Sequence, residues 1–86
     1  MKLKEEFIIH RVGDKALLIP TAESDFHGVL QGNKSFEVIL RCLEGGADEE
    51  AIFTALQERF DGEETDMRAD IADVLAKLRS IGALEE

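Results

Sequence analysis

The second half of the chain repeats apolar residues every three or four positions, which is the spacing of one buried face of an α-helix. Residues 34–46, 48–62 and 65–84 each show this pattern, and each closes near a glycine that can end a helix. The pattern therefore predicts three helices with buried stripes at Phe36, Ile39, Leu40 and Leu43, at Ile52, Leu56 and Phe60, and at Met67, Ile71, Val74, Leu75 and Leu78.

Polar residues mark the helix starts. Asn33 or Ser35 can cap the first helix, because a short polar side chain accepts a hydrogen bond from a free amide of the first turn. The third helix is expected to start near Thr65 or Asp66, and Asp48 opens an acidic first turn in the second.

The first third of the chain has the composition of strands. Residues 7–12 and 15–19 are rich in side chains that suit a pleated surface, and they flank Gly13-Asp14. A glycine supplies the positive φ that a two-residue hairpin turn requires. Pro20 closes the second strand, because proline cannot donate a hydrogen bond to a ladder. These residues predict a β-hairpin.

Residues 26–31 follow a polar loop and predict a third strand, with Phe26, Gly28 and Leu30 on one face. Short connections make the three strands an antiparallel meander. The expected fold is α+β, with a three-stranded antiparallel sheet followed by three helices.

The length and composition indicate one domain spanning residues 1–86, with one aliphatic core. The chain has one cysteine, Cys42, so no intramolecular disulfide is expected. No segment approaches the roughly 20 apolar residues that cross a bilayer, and the start of the chain lacks a signal-peptide pattern. The expected location is the cytoplasm.

The net charge of −9 lies in the second half of the chain. Residues 1–43 contain six basic and six acidic side chains, whereas residues 44–86 contain four and thirteen. Such a surface would repel nucleic acid and anionic membranes, so neither is an expected partner. The acidic surface is either a solvated face or attracts a basic partner.

Catalytic and metal-binding patterns are absent from the sequence. His10 and His27 lie on different predicted strands, and no spacing of His and Cys residues matches a zinc site. Cys42 is expected to be a packed thiol rather than a nucleophile. Gly45-Gly46 follows a helix instead of preceding one, unlike a phosphate-binding loop. A non-enzymatic protein without a cofactor or metal is expected.

The predicted third strand lacks the lysines, prolines and charges that usually protect the edge of a sheet. Its free amides and carbonyls could therefore pair with an extended peptide, and a glycine in its middle would allow close backbone approach. A helix of the chain, or a second copy in a homodimer, could cover the same edge instead. The candidate peptide-binding residues are Phe26, His27, Gly28, Val29, Leu30 and Gln31.

The third helix could form a groove with this edge. At about 100° per residue, several alanines lie roughly opposite its core stripe, with an arginine on each side. Small side chains would lower the rim of a cleft, and the arginines could hold peptide carboxylates. The alanines could equally reflect helix propensity on a solvated face. The candidate groove residues are Arg68, Ala72, Leu75 and Arg79.

Short motifs punctuate the predicted strand and helices. They are Gln31-Gly32-Asn33, Cys42-Leu43-Glu44-Gly45-Gly46, Phe60-Asp61, Asp73-Val74-Leu75 and Gly82-Ala83-Leu84. The chain resembles the PqqD-like family in this order of motifs. It departs from the family pattern at Gly32, where a Leu commonly precedes the Asn, and carries one extra residue around residues 45–47.

The resemblance implies a fold of winged helix-turn-helix character and a peptide-recognition role. Members of the family hold the leader of a ribosomally made precursor peptide and present it to a modifying enzyme, often a radical-SAM protein. They bind the leader between the third strand and the third helix, which correspond here to the two candidate surfaces. Two other functions stay open: a winged-helix regulator that binds DNA, and a structural domain that dimerises through its edge strand.

Overall fold

The computed structural model describes residues Met1–Glu86 and contains five strands and three helices. The first strand is very short, and a hairpin and a third sheet strand follow it. The three helices come next, and a last short strand ends the chain. The elements are β1 (Lys2–Leu3), β2 (Phe7–Val12), β3 (Lys15–Pro20), β4 (Leu30–Gly32), α1 (Lys34–Glu44), α2 (Glu49–Arg59), α3 (Glu64–Ser80) and β5 (Leu84–Glu85).

The main sheet is antiparallel and has the order β2-β3-β4. The β2–β3 turn consists of Gly13 and Asp14, and Val12 pairs with Lys15 across it. Gly13 has a φ of 64°, and no other residue type in the chain has a positive φ. This is the pattern of a type II′ turn, whose twist matches that of the strands it joins. The predicted α+β fold, with its hairpin and meander, is confirmed.

The bounds predicted for the third strand are wrong. Regular pairing with β3 covers Leu30–Gly32, and residues 26–29 form an irregular segment before it. Continuing the β3–β4 register would place Gly28 opposite Pro20. Because proline has no amide hydrogen, that pair would lack the hydrogen bond donated from β3. Further back, the Phe26 N–H donates to the Ser24 Oγ at 3.1 Å, a local turn contact in place of strand pairing.

Side-chain caps begin two of the helices. The Asn33 Oδ1 accepts a hydrogen bond from the Phe36 N–H at 3.1 Å, which settles the choice between Asn33 and Ser35. The Asp48 Oδ1 accepts one from the Ala51 N–H at 2.8 Å. Helix α3 begins at Glu64, one residue before the predicted start, without a side-chain cap.

A second, two-stranded sheet joins the two ends of the chain. Strand β1 pairs antiparallel with β5, with Lys2 opposite Glu85 and Leu3 opposite Leu84. Leu3 and Leu84 are both buried, so the pairing seals one side of the helical layer. The sequence pattern predicts neither strand, because each is only two residues long.

One hydrophobic core of 18 buried residues connects the sheet and the helices. Three positions differ from the predicted stripes. Phe60 and Val74 are only partly buried, whereas Phe53 is buried, with 7% of its surface exposed. Phe60 lies at the C-cap of α2, where the backbone has already become extended. No helix of the chain is both long enough and apolar enough to cross a bilayer.

Candidate functional site

A groove of about 360 Å³ lies between β4 and α3, with α1 at its base. It follows the free edge of the main sheet, because β4 pairs with β3 on one side only. The other edge of the sheet is β2. The edge at β4 is the one that faces the groove.

The backbone of Gln31 faces this free edge. Antiparallel pairs alternate between hydrogen-bonded and non-bonded, and the tight turn makes Val12 and Lys15 a bonded pair. By this alternation, the two β3 residues that pair with Leu30 and Gly32 direct their N–H and C=O groups towards β4 and not towards β2. The N–H and C=O of Gln31 therefore point away from the sheet. Val29, two residues earlier and 55% exposed, is on the same side if the extended backbone continues.

The base of the groove is apolar and comes from α1. Phe36 and Ile39 are buried beneath the strand, and Leu30 packs against the same core. Gly32 lies directly against the Phe36 ring, so β4 runs very close to the first turn of α1. The Asn33 cap immediately after β4 fixes this geometry, because it holds the amide of Phe36.

The helical wall consists of one face of α3. Asp70, Asp73, Val74 and Lys77 line it, at the spacing of a single helix face. Val74 is the apolar member and is half-buried. None of the three charged side chains forms a salt bridge within the chain, so they are free to pair with a ligand. The wall combines an apolar contact with two carboxylates and one ammonium group.

The structure places none of the four α3 residues proposed from sequence in this groove. Leu75 is completely buried in the core. Ala72 is exposed on another face, and Arg79 pairs with Glu86 at 2.8 Å near the chain end. Helical periodicity located most of the core stripe, but it cannot say which flank of that stripe faces the edge strand. Asp70, Asp73 and Lys77 were missed for this reason, and Val74 was assigned to the core.

Arg68 instead connects α3 with α2. Its guanidinium donates hydrogen bonds to Glu50 of α2 and, at 2.8 Å, to Glu64 one turn earlier in α3. It also lies over the Phe53 ring, 4.1 Å from the centroid, in a cation–π arrangement. The hydrogen bond from Arg68 lowers the pKa of Glu50, and the two carboxylates raise the pKa of Arg68. Arg68 therefore has a structural contact that accounts for its position.

The six predicted strand residues divide into two groups. Leu30 and Gln31 line the groove as members of β4. Phe26, His27, Gly28 and Val29 lie on the irregular segment that leads to it. Phe26 is partly buried against the core, whereas His27 and Val29 are exposed. No group of three or more His, Cys, Asp or Glu side chains is arranged to hold a metal ion.

Comparison with known families identifies the chain. The sequence model of coenzyme PQQ synthesis protein D (PqqD) matches residues 27–84, which include β4, the three helices and the first residue of β5. The chain belongs to the PqqD family. The matched region contains all the residues named above as lining the groove.

Solved structures similar to this PqqD-family chain show the same fold. TbiB1 in complex with the TbiA(beta) leader peptide has a TM-score of 0.79 and 20% identity, covering 99% of this chain and 95% of that chain. A lasso peptide synthetase B1 complexed with the leader peptide has a TM-score of 0.75 and 20% identity, covering 99% and 96%. No curated protein matches the chain in a sequence search.

Proposed function

We propose that this PqqD-family chain is a non-catalytic module that binds the leader of a ribosomally made precursor peptide. The leader adds to β4 as a further antiparallel or parallel strand and places side chains in the groove against α1 and α3. The chain then presents the bound precursor to a modifying enzyme of the radical-SAM type. The observation that carries this proposal is the vacant backbone of Gln31 beside the groove.

The solved relatives support the same role. Both similar structures contain a leader peptide, and each aligns with nearly the whole of this chain. The PqqD match covers the groove as well. A shared fold and a groove beside an edge strand make leader binding the function that fits this surface best.

The short edge strand limits the energy of binding. Gln31 offers two backbone hydrogen bonds, and Val29 offers two more if a peptide straightens the preceding segment. At a net of about 0.5 to 1.5 kcal/mol each, these bonds cannot hold a flexible peptide alone. One or two apolar side chains buried against Phe36 and Val74 would add roughly 1.5 to 3 kcal/mol each. Reversible binding near micromolar affinity is the expected result.

The charges of the groove favour a peptide over DNA. Asp70 and Asp73 would lie near the phosphates if α3 acted as a recognition helix, and the chain has a net charge of −9. Dimerisation through β4 would compete for the edge that a leader needs, so the free form is expected to be monomeric. We place the chain in the cytoplasm, where a precursor peptide is made.

Amide NMR with the isotopically labelled chain tests leader binding. The probe is the leader of a precursor peptide encoded beside this gene, and a scrambled leader of the same composition is the control. We expect saturable shifts at Gln31, Asn33 and Val74, with little change at the Gly13-Asp14 turn. Shifts spread equally over the chain, or equal shifts with the scrambled peptide, would contradict specific binding in the groove.

A further inference from the structure

A second cavity, of about 580 Å³, lies on the other side of α1 from the groove. The end of β2, the outer face of α1 and the last turns of α2 enclose it. We call it the basic cavity, because four of the chain's ten Lys and Arg residues line it, together with one acidic residue. The four cations are Arg11, Lys34, Arg41 and Arg59.

The single carboxylate does not neutralise these cations. Glu37 is 3.5 Å from Arg11 and 3.6 Å from Arg41, and Arg41 also pairs at 3.5 Å with Glu44, which lies outside the lining. Lys34 and Arg59 form no salt bridge within the chain. In a chain with a net charge of −9, the cavity is a local concentration of positive charge.

The position of Lys34 does not favour the stability of its helix. Lys34 is the first residue of α1, where the helix dipole disfavours a positive charge. Its side chain is exposed and has no ion-pair partner to compensate. A ligand carboxylate in the basic cavity would provide that partner.

The basic cavity also has an apolar lining. Val38, Cys42, Ala55 and Phe60 contribute to it, and all four are partly buried. The combination of a partly apolar surface and surrounding cations suits an acidic peptide better than a small inorganic anion, because a peptide can bury side chains as well as pair its charges.

The concave surface continues from the groove to the basic cavity around the start of α1. A smaller concavity of about 300 Å³ lies between them. It shares Ser35 and Asp70 with the groove and Phe60 with the basic cavity. A chain leaving the groove at this end therefore has a surface to follow.

We propose that the basic cavity binds a carboxylate-rich segment of the same peptide whose other part occupies the groove. This inference rests on the proposed leader binding and names the chemistry of a second part of the leader. The connecting concavity contains Asp61, Asp66 and Asp70, so the intervening peptide residues are neutral or basic. The expected leader thus has an acidic run separated from its strand-forming segment by a few residues without negative charge.

Cys42 is a natural reporter for the basic cavity, because it is the only cysteine of the chain and lies in the lining. Burial raises the pKa of its thiol, against the opposing effect of Arg59. Alkylation by iodoacetamide at mildly alkaline pH therefore measures access to the cavity. Bound peptide should slow it about tenfold when the free peptide is about ten times its Kd, since the rate follows the unoccupied fraction.

The experiment measures Cys42 alkylation and the Gln31 amide shift in the same titration. The probes are the leader encoded beside this gene and a version in which every Asp and Glu is replaced by Asn or Gln. Lys34→Gln removes one cation of the basic cavity, and Lys15→Gln at the hairpin turn is the matched control. We expect the natural leader to protect Cys42 and the neutral version to lose that protection. Lys34→Gln should lower the protection severalfold without lowering stability, and Lys15→Gln should lower neither.

Every other outcome shows whether the basic-cavity site or leader binding itself is wrong. A leader that shifts the Gln31 amide without slowing Cys42 alkylation overturns the second site and leaves the groove in place. Protection of Cys42 without a shift at Gln31 also overturns the inference, because the occupant would not be the peptide in the groove. If neither signal changes, leader binding itself is wrong. A leader that lacks any acidic run would contradict the inference before a titration is made.

Discussion

Gly32 packs against the Phe36 ring so closely that a Cβ on the glycine would overlap the ring carbons. Gly32 is the last residue of β4, and Phe36 lies in the first turn of α1. The contact brings the edge strand against the helix that forms the base of the groove. It also gives a reason for a glycine at this position.

Gly32→Ala should destabilise the chain by about 1 to 3 kcal/mol, because the added methyl group must displace Phe36 or the strand. Urea denaturation followed by circular dichroism measures the change. Gly45→Ala is the control, since its Cβ would meet no atom within 4 Å and its φ is −90°. Equal stability of the two variants would show that Phe36 moves aside at little cost.

Gln31→Pro should weaken leader binding about tenfold, because one outward N–H is lost and the proline ring lies on the edge where the leader would pair. Gln31→Ala alters the side chain alone and serves as the control. Val29→Pro tests the flanking residue in the same way, with the helical signal expected to persist. Calorimetric titration measures the affinities. If Gln31→Pro binds as tightly as Gln31→Ala, the leader does not pair with this edge.

Val74→Ala should also weaken leader binding about tenfold, because two methyl groups leave the apolar contact on the α3 wall. Ala72→Leu adds apolar surface on an α3 face outside the groove and should leave the affinity unchanged. Fluorescence anisotropy with a labelled leader compares the two variants. A larger effect of Ala72→Leu would show that the leader binds the alanine-rich face of α3 and not the face that carries Val74.

Arg68→Ala should lower stability and leave leader affinity unchanged, because Arg68 contacts Glu50, Glu64 and Phe53 rather than the groove. Arg68→Lys retains the charge but not the planar group, so its stability should be intermediate. Denaturation and leader titration on the same samples separate the two roles. A loss of affinity at unchanged stability would contradict the structural role.

The Arg68 contact also predicts the direction of a pH effect. The folded pKa of Glu50 is below its unfolded value of about 4.3, so the ionised carboxylate stabilises the folded state above that pH. This contribution decreases as the pH falls from about 4.3 through the folded pKa. Glu50→Gln should therefore show a weaker loss of stability over that range than the parent chain. An identical pH dependence would mean that the pair contributes nothing measurable.

Local sequence signals determined much of the fold. Apolar spacing identified the three helices, the Gly13 turn identified the hairpin, and Asn33 and Asp48 marked helix starts that the structure confirms. These features depend on contacts between residues close in the chain. The motifs at the strand and helix ends also led correctly to the PqqD family.

The tertiary structure decided which surfaces meet. Pro20 limits β4 through the register between strands, and Val74 rather than Leu75 faces the groove because of how α3 packs on its neighbours. The basic cavity joins residues from β2, α1 and α2, so no segment of the sequence reveals it. Periodicity determines which side chains share a helix face. The neighbour that each face meets depends on contacts between residues distant in sequence, which the packed chain alone establishes.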